Sequence, residues 1–203
     1  ASSFGEALEW ASRVRAATAE ELRRDGHEVS LVADEGGLAA PLASNRTALD
    51  VLVAGIERSG LEPGSEAAIA VDVAATQLVA ADGYALASEG RSLRAAELVE
   101  EMATWSAEYP IVSIEDALGE DDGEGWGRVT GRLADRIQLL GDDLFATSPE
   151  RLRDGIRAGV ANAVLVKPNQ VGTLTDARHV VEIAREAGYA TVLSARSGES
   201  EDA

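Results

Sequence analysis

The chain has 203 residues, a hydrophobic fraction of 45% and a formal net charge of −18. It is long enough to bury a sizeable core, and its charge would repel a polyphosphate, which argues against a nucleic-acid partner. Cysteine is absent, which excludes disulfides, thiolate metal sites and cysteine nucleophiles. No apolar run approaches the roughly 18 residues of a membrane span. The opening ASSFGEALEWASRVR reads as an amphipathic helix and lacks the basic region of a signal peptide. A cytoplasmic protein without a membrane partner is the expectation.

Residues 4–25 carry Phe4, Leu8, Ala11 and Val14 on one stripe and predict a helix. VSLVAD (29–34) predicts a short strand, followed by Gly36 and Gly37. A helix is predicted over 46–59, stopping at Gly60. AAIAVDVAA (67–75) predicts a strand, and QLVAADGYALAS (77–88) a hairpin turning at Asp82-Gly83. Residues 92–107 predict a helix capped by Ser92. The strand YPIVSIED (109–116) leads into the acidic loop ALGEDDGEGWG and a helical stretch reaching residue 135. RIQLLGDD (136–143) predicts a strand, and Ser148-Pro149 opens a helix over 148–158, a cap followed by proline at the first helical position. NAVLVK (162–167) is a strand, 173–187 a helix ending at Gly188, and ATVLSA (190–195) a strand.

Six apolar, β-branched runs thus alternate with helices. That is the pattern of parallel strands with helical crossovers, in an α/β sheet or a β/α barrel. A closed barrel needs eight strands and roughly 250 residues, so six core strands predict an incomplete one. The acidic stretch 119–125 reads as a solvated connection, since it lacks the pattern of a Ca²⁺ loop.

Every predicted core strand runs into an ionisable group: Glu35, Asp72, Glu115, Asp142, Lys167 and Arg196. In α/β barrels the C-terminal strand ends converge on one mouth, where active sites lie. Acids there also cap the next helix, which accounts for one or two of them but not for the whole set. Asp72, Glu115 and Asp142 held together would repel one another unless a cation joined them. Hard oxygen donors without cysteine or a well-placed histidine select Mg²⁺ or Mn²⁺.

Lys167 is the only lysine in a chain with 18 Lys plus Arg. Arginine serves everywhere else, and only an amine can be tuned to lose its proton, so Lys167 is a candidate base. Glu35 comes from the other half of the chain and in a barrel could face Lys167 across the mouth. An acid opposite a base suits elimination or addition across a carbon–carbon bond. Arg196, Ser197 and the backbone at Gly198, opening a helix, make an anion site. His27 and His179 read as surface residues, and Trp10, Trp105 and Trp126 as core or interface.

Six blocks now stand in order: DEGG (34–37), VDVAAT (71–76), SIED (113–116), GDDLFATSPERL (141–152), VKPNQVGT (166–173) and SARSGESED (194–202). In that order, and with similar spacing over essentially the whole chain, they resemble the enolase (phosphopyruvate hydratase) family. The resemblance implies the (β/α)8-type TIM barrel of the family's C-terminal domain, incomplete here. It implies Asp72, Glu115 and Asp142 as Mg²⁺ ligands, Lys167 as the base that removes the proton α to the substrate carboxylate, and Mg²⁺ stabilising the enediolate. Glu35 matches the acid that assists departure of hydroxide, while Arg196 and Ser197 match residues that hold the substrate phosphate. The implied reaction is the reversible dehydration of 2-phosphoglycerate, a small phosphorylated carboxylate, to phosphoenolpyruvate in glycolysis. A homodimer or higher homo-oligomer is implied with it.

The chain departs from the family in three places. Ala195 stands where the family loop Ser-His-Arg-Ser-Gly-Glu has histidine, and Ala117-Leu118 stands where it has Pro-Phe. The family's N-terminal α+β domain with its metal loop, a Glu and a His ahead of the barrel, and a later substrate-binding Lys have no counterpart in the 203 residues. The expectation is a segment that leaves its barrel open and is inactive alone. Loss of the histidine also suits an enolase-like paralogue acting on another phospho- or phosphono-carboxylate, as carboxyphosphonoenolpyruvate synthase does. A non-catalytic binding protein that kept the fold is the third reading.

Overall fold

A computed structural model of the chain describes residues 1–33 and 36–196. They form two compact units, one of Ala1–Ile69 with Glu108–Pro110, the other of Ala70–Ala107 with the chain from Ile111 onward.

The first unit is a helix pair. Helix α1 (Phe4–Arg24) starts at Ser3, whose hydroxyl accepts the Glu6 amide, and α2 (Asn45–Arg58) starts at Ser44, whose hydroxyl accepts the Thr47 amide. Each cap satisfies one of the amides a helix leaves unpaired at its start. The helices bury Ala17, Thr18, Ala19 and Leu22 of α1 and Leu49, Val51, Gly55 and Ile56 of α2. A glycine is needed at 55 because a Cβ there would stand 2.1 Å from Thr18 Oγ1. Arg58 bridges back to Glu20 and Glu21 of α1 at 2.8 and 3.1 Å.

Two expectations fail in this unit. The helix lies where the periodicity places it, but the stripe through Phe4 and Leu8 is not buried: they are 80% and 56% exposed, and burial falls on the C-terminal half of α1. VSLVAD forms no strand over its described residues. Val32 makes only an isolated antiparallel bridge to Leu38, with Leu31 and Val32 exposed: the segment pairs with nearby chain, and among the described residues no strand lies beside it to extend.

The second unit opens with β1 (Ile69–Asp72), which begins at the end of the first unit. It continues through β2 (Val79–Ala80), β3 (Gly83–Leu86) and β4 (Arg91–Leu93), a three-stranded antiparallel sheet, and then α3 (Ala95–Glu108). Next come β5 (Ile111–Glu115), α4 (Gly123–Leu133), β6 (Gln138–Gly141), α5 (Pro149–Ala158), β7 (Ala163–Val166), the single turn α6 (Pro168–Val171), α7 (Leu174–Glu186) and β8 (Ala190–Leu193). The main sheet has the order β1-β5-β6-β7-β8. From β5 to β8 each pair is parallel. Past the end of β1, Val73 and Ala75 donate in turn to the carbonyls of Glu115 and Asp116, climbing in the direction in which β5 runs.

The architecture is therefore α/β with parallel strands and helical crossovers, as expected, but the sheet has five described strands rather than six. Ser92 is a second correction. It pairs with Ala85 inside β4 instead of capping a helix, and α3 starts after Arg94, whose amide is accepted by the Glu97 side chain at 2.8 Å. The Ser148-Pro149 start of α5 is as the sequence predicts. The hairpin forms, but its turn is one residue earlier than predicted, at Ala81-Asp82, because Ala80 pairs with Gly83, already the first residue of β3.

All four residues of β7 are buried, which is what a central parallel strand covered on both faces requires. Leu140, Ala163 and Leu165 pack together with Val192 as one cluster. Leu98, Val99, Met102, Trp126, Val129, Leu152 and Val180 of the helices are buried to 1% exposure or less. Asn162 braces the approach to the sheet: its side chain accepts the Leu139 amide at 2.7 Å and donates to the carbonyls of Ala134 and Ile137. Among the described residues no helix is long and apolar enough to cross a membrane.

Candidate active site

Because the main strands run the same way, the residues at their C-terminal ends emerge along one edge of the sheet. Asp72 ends β1, Glu115 ends β5, Asp142 follows β6 and Lys167 follows β7. Lys167 Nζ lies 2.5 Å from Asp142 Oδ2, an ion pair between side chains only 17% and 15% exposed. The other oxygen, Asp142 Oδ1, is buried and has no hydrogen-bond partner among the described residues. A buried carboxylate oxygen without a partner carries an uncompensated desolvation cost.

The neighbouring acids sense one another. Glu115 is pushed up to about 7, first by burial, then by the charges of Asp72, Asp142 and Asp116, with Lys167 pulling the other way. Asp72 is also raised, first by lost hydration and then by Asp142, against the Ala74 amide and Lys167, which lower it. The Ala74 bond to Asp72 Oδ1, at 2.9 Å, makes a local turn, so Asp72 also does part of the capping work that strand-end acids commonly do. Four groups from four strands thus share one electrostatic environment.

Asp116 has a different task. It is 3% exposed and sits at φ +42, and its two carboxylate oxygens accept the backbone amides of Asp142 and Asp143 at 2.9 and 2.8 Å. Its own amide donates to Leu140, so the end of β5 is laced to the end of β6 on both sides. Burial raises its carboxyl to about 6, with the two amides opposing the shift. Asp143 is raised by burial and by Asp142 and Glu120.

Asp116, Asp142 and Asp143 each offer an oxygen within 4.8 Å of one another, a group that could hold a metal ion. Asp116 and Asp143 are not singled out by the sequence, although the doubled acids Glu115-Asp116 and Asp142-Asp143 are a visible signal there. Of the predicted trio only Asp142 belongs to this group; Asp72 and Glu115 do not. The donors of either set are carboxylates, hard ligands suited to Mg²⁺ and its like rather than to Zn²⁺. The orphaned Asp142 oxygen, common to both trios, is the feature that fits a bound cation best.

The loop carrying Asp142 is firmly packed. Phe145, 1% exposed, is wedged against two glycines: a Cβ at Gly141 would come within 2.6 Å of its ring and one at Gly155 within 2.4 Å. Its ring meets that of Tyr189 edge-on at 6.5 Å. Ala117 and Leu118, just past Glu115 and at the position of Pro-Phe in the resembled family, are wholly buried and so keep an apolar pair there.

Of the remaining sequence-derived residues, Arg196 lies just past β8 and is exposed. The Ser194 amide, donating to Val166, carries the pairing of β7 and β8 one residue beyond the strands toward it. Ala195 is exposed beside it. Glu35 and Ser197 lie outside the described residues. His179 is exposed, and Trp105 and Trp126 are core residues, as expected. Compared with known families, the chain matches the one described as "Enolase, C-terminal TIM barrel domain" over residues 1–203.

Proposed function

This chain belongs to the enolase family through its C-terminal TIM barrel domain, and we propose that its gene product catalyses the reversible dehydration of 2-phosphoglycerate to phosphoenolpyruvate with Mg²⁺ held by Asp72, Glu115 and Asp142. The observation that carries this reading is the pair at the sheet edge: the only lysine of the chain, 2.5 Å from a carboxylate whose second oxygen is buried and unpartnered among the described residues.

Asp116 also lies within metal-binding range, but both its oxygens already accept backbone amides. Glu115 and Asp72, raised by burial and by repulsion from neighbouring acids, would be relieved by a cation. Bound there, Mg²⁺ would supply positive charge for the substrate's carboxylate oxygens. Lys167 Nζ then takes the proton α to the substrate carboxylate. Glu35 donates the proton with which the departing hydroxide leaves as water. Arg196 and Ser197 hold the phosphate, a charge-assisted contact that fixes the reacting carbon against the lysine. On this reading the protein works in the cytoplasm as a homodimer or higher homo-oligomer.

The test is to supply the complete gene product with 2-phosphoglycerate and Mg²⁺ and to follow phosphoenolpyruvate by its ultraviolet absorbance. Turnover abolished by a chelator is expected. Lys167→Ala should lower kcat by about 10²–10⁴-fold, the range of a lost general base, while keeping Mg²⁺ affinity. Asp72→Ala should lose that affinity. Absence of turnover by a folded, Mg²⁺-binding protein would refute the assignment.

Ala195 favours one other reading. With a methyl group where the family has an imidazole, the mouth lacks a donor and acceptor beside the anion site. A paralogue acting on another phospho- or phosphono-carboxylate would share the base and the metal but not that contact. Turnover of a phosphonocarboxylate in place of 2-phosphoglycerate would select it.

A further inference from the structure

Thr147 lies twenty residues ahead of Lys167 and has no part in the chemistry described above, yet it touches the lysine directly. Its side-chain oxygen accepts the Lys167 backbone amide at 3.0 Å and donates to Gln170 Oε1 at 2.8 Å. Thr147 is 0% exposed. It is a β-branched residue at φ +51, and Ala146 before it is at φ +46. Two successive non-glycine residues in the left-handed region are strained, and such strain persists only where the surroundings over-determine the conformation.

The surroundings here form a closed ring. Asp142 O accepts the amides of Phe145 and Ala146, which turns the loop back on itself and presents Thr147 to the end of β7. Thr147 holds the Lys167 amide, and the Lys167 carbonyl accepts the amides of Gln170 and Val171. Pro168 confines Lys167 to extended backbone, φ −113 and ψ 103. The lysine side chain then returns to Asp142 at 2.5 Å. Both ends of Lys167 are therefore fixed to one loop, the backbone by Thr147 and the amine by Asp142.

We propose that Thr147 is a positioning residue: its buried hydroxyl, bonded to the Lys167 amide and to Gln170, sets the place of the Lys167 amine relative to Asp142. The proposal rests on the reading of Lys167 as the base, and the effect on rate follows from geometry, since a displacement of about 1 Å at a reacting group can cost on the order of 10²-fold. Thr147→Val keeps the branching and removes the hydroxyl, whereas Thr147→Ser keeps the hydroxyl and removes a methyl.

The experiment has two arms, both on the complete gene product. In the first, Mg²⁺-dependent turnover of 2-phosphoglycerate is measured. Thr147→Val is expected to lower kcat by about 10²-fold with KM and Mg²⁺ affinity little changed, and Thr147→Ser to restore most of the rate. In the second, acylation of the Lys167 amine by an N-hydroxysuccinimide ester is timed by peptide mass spectrometry. Thr147→Val is expected to speed it and Thr147→Ser to leave it as in the parent. A Thr147→Val protein with parental kcat and parental acylation overturns the proposal. So does equal loss in both variants accompanied by equal loss of thermal stability, which would make the role purely structural. If the parent itself turns over no 2-phosphoglycerate, the lyase reading falls, and the acylation arm alone decides for or against Thr147.

Discussion

Asp116 shows how much one side chain can settle at the residue scale. It holds two successive amides at the start of the loop that carries Asp142, so Asp116→Asn replaces one acceptor with an NH₂ group that faces an N–H. Asparagine tolerates φ +42, so the backbone is not what suffers. One buried amide is left without a partner, at a cost of about 1–3 kcal/mol. Thermal melts should show that loss, and isothermal titration should show weaker Mg²⁺ binding although Asp116 is not assigned as a ligand. An unchanged melt would mean the clamp is not formed in solution. The sequence displays Glu115-Asp116 and Asp142-Asp143 as pairs of acids but does not say which member faces the mouth. Successive strand residues point to opposite faces, and the choice is made by the positive φ at Asp116, a tertiary outcome. Lys167 is legible for the opposite reason. In a chain that uses arginine everywhere else, one lysine at the end of an apolar strand stands out by composition and position alone.

Elements are legible where their signals are local. Ser148-Pro149 starts α5 because cap and proline act within one turn, and Thr173 caps α7 in the same way. They are illegible where a partner decides. Ser92 has the chemistry of a cap, but β3 recruits it into β4. The apolar stripe of α1 is illegible for the same reason: α1 has 21 residues against the 14 of α2, burial falls on Ala17, Thr18, Ala19 and Leu22, and Phe4 and Leu8 stay 80% and 56% exposed. What the shorter helix does cover is packed without slack. Gly55→Ala would place a methyl 2.1 Å from Thr18 Oγ1 and 3.1 Å from Thr18 Cα. The hydroxyl is itself bonded to the Val14 carbonyl at 2.8 Å and cannot turn aside without losing that bond. Gly55→Ala should destabilise the chain by about 1–3 kcal/mol, the usual range for overpacking, measured by urea unfolding. Adding Thr18→Ala should recover only part of it, because the backbone contact remains. Full recovery would show that the hydroxyl alone sets the distance between the helices.

For the whole molecule the question is how a chain of net charge −18 tolerates its acids gathered at the ends of parallel strands. Part of the answer is proton uptake. Glu115 is raised from an ordinary 4.5 to about 7 and Asp116 from 3.8 to about 6. A carboxyl with a raised pKa binds its proton more tightly in the folded state than in the unfolded one, so protonation favours folding. That contribution is complete below the unfolded value and is lost as pH rises through the folded value. Without metal, the melting temperature should therefore fall between about pH 5 and about pH 8. Overall charge repulsion would give the same sign. Salt separates the two effects, since added KCl screens the surface charge but acts much less on a partly buried cluster. The fall should therefore persist at high salt, and Glu115→Gln should flatten it. Mg²⁺ should reverse it, because a cation competes with protons for the same oxygens and binds best once they are ionised. Its stabilisation should be larger at about pH 8 than at about pH 5. A chelated protein whose melting temperature is flat across that range at high salt would show that the strand-end acids are not coupled as the structure places them, and the Mg²⁺ assignment would lose its physical basis.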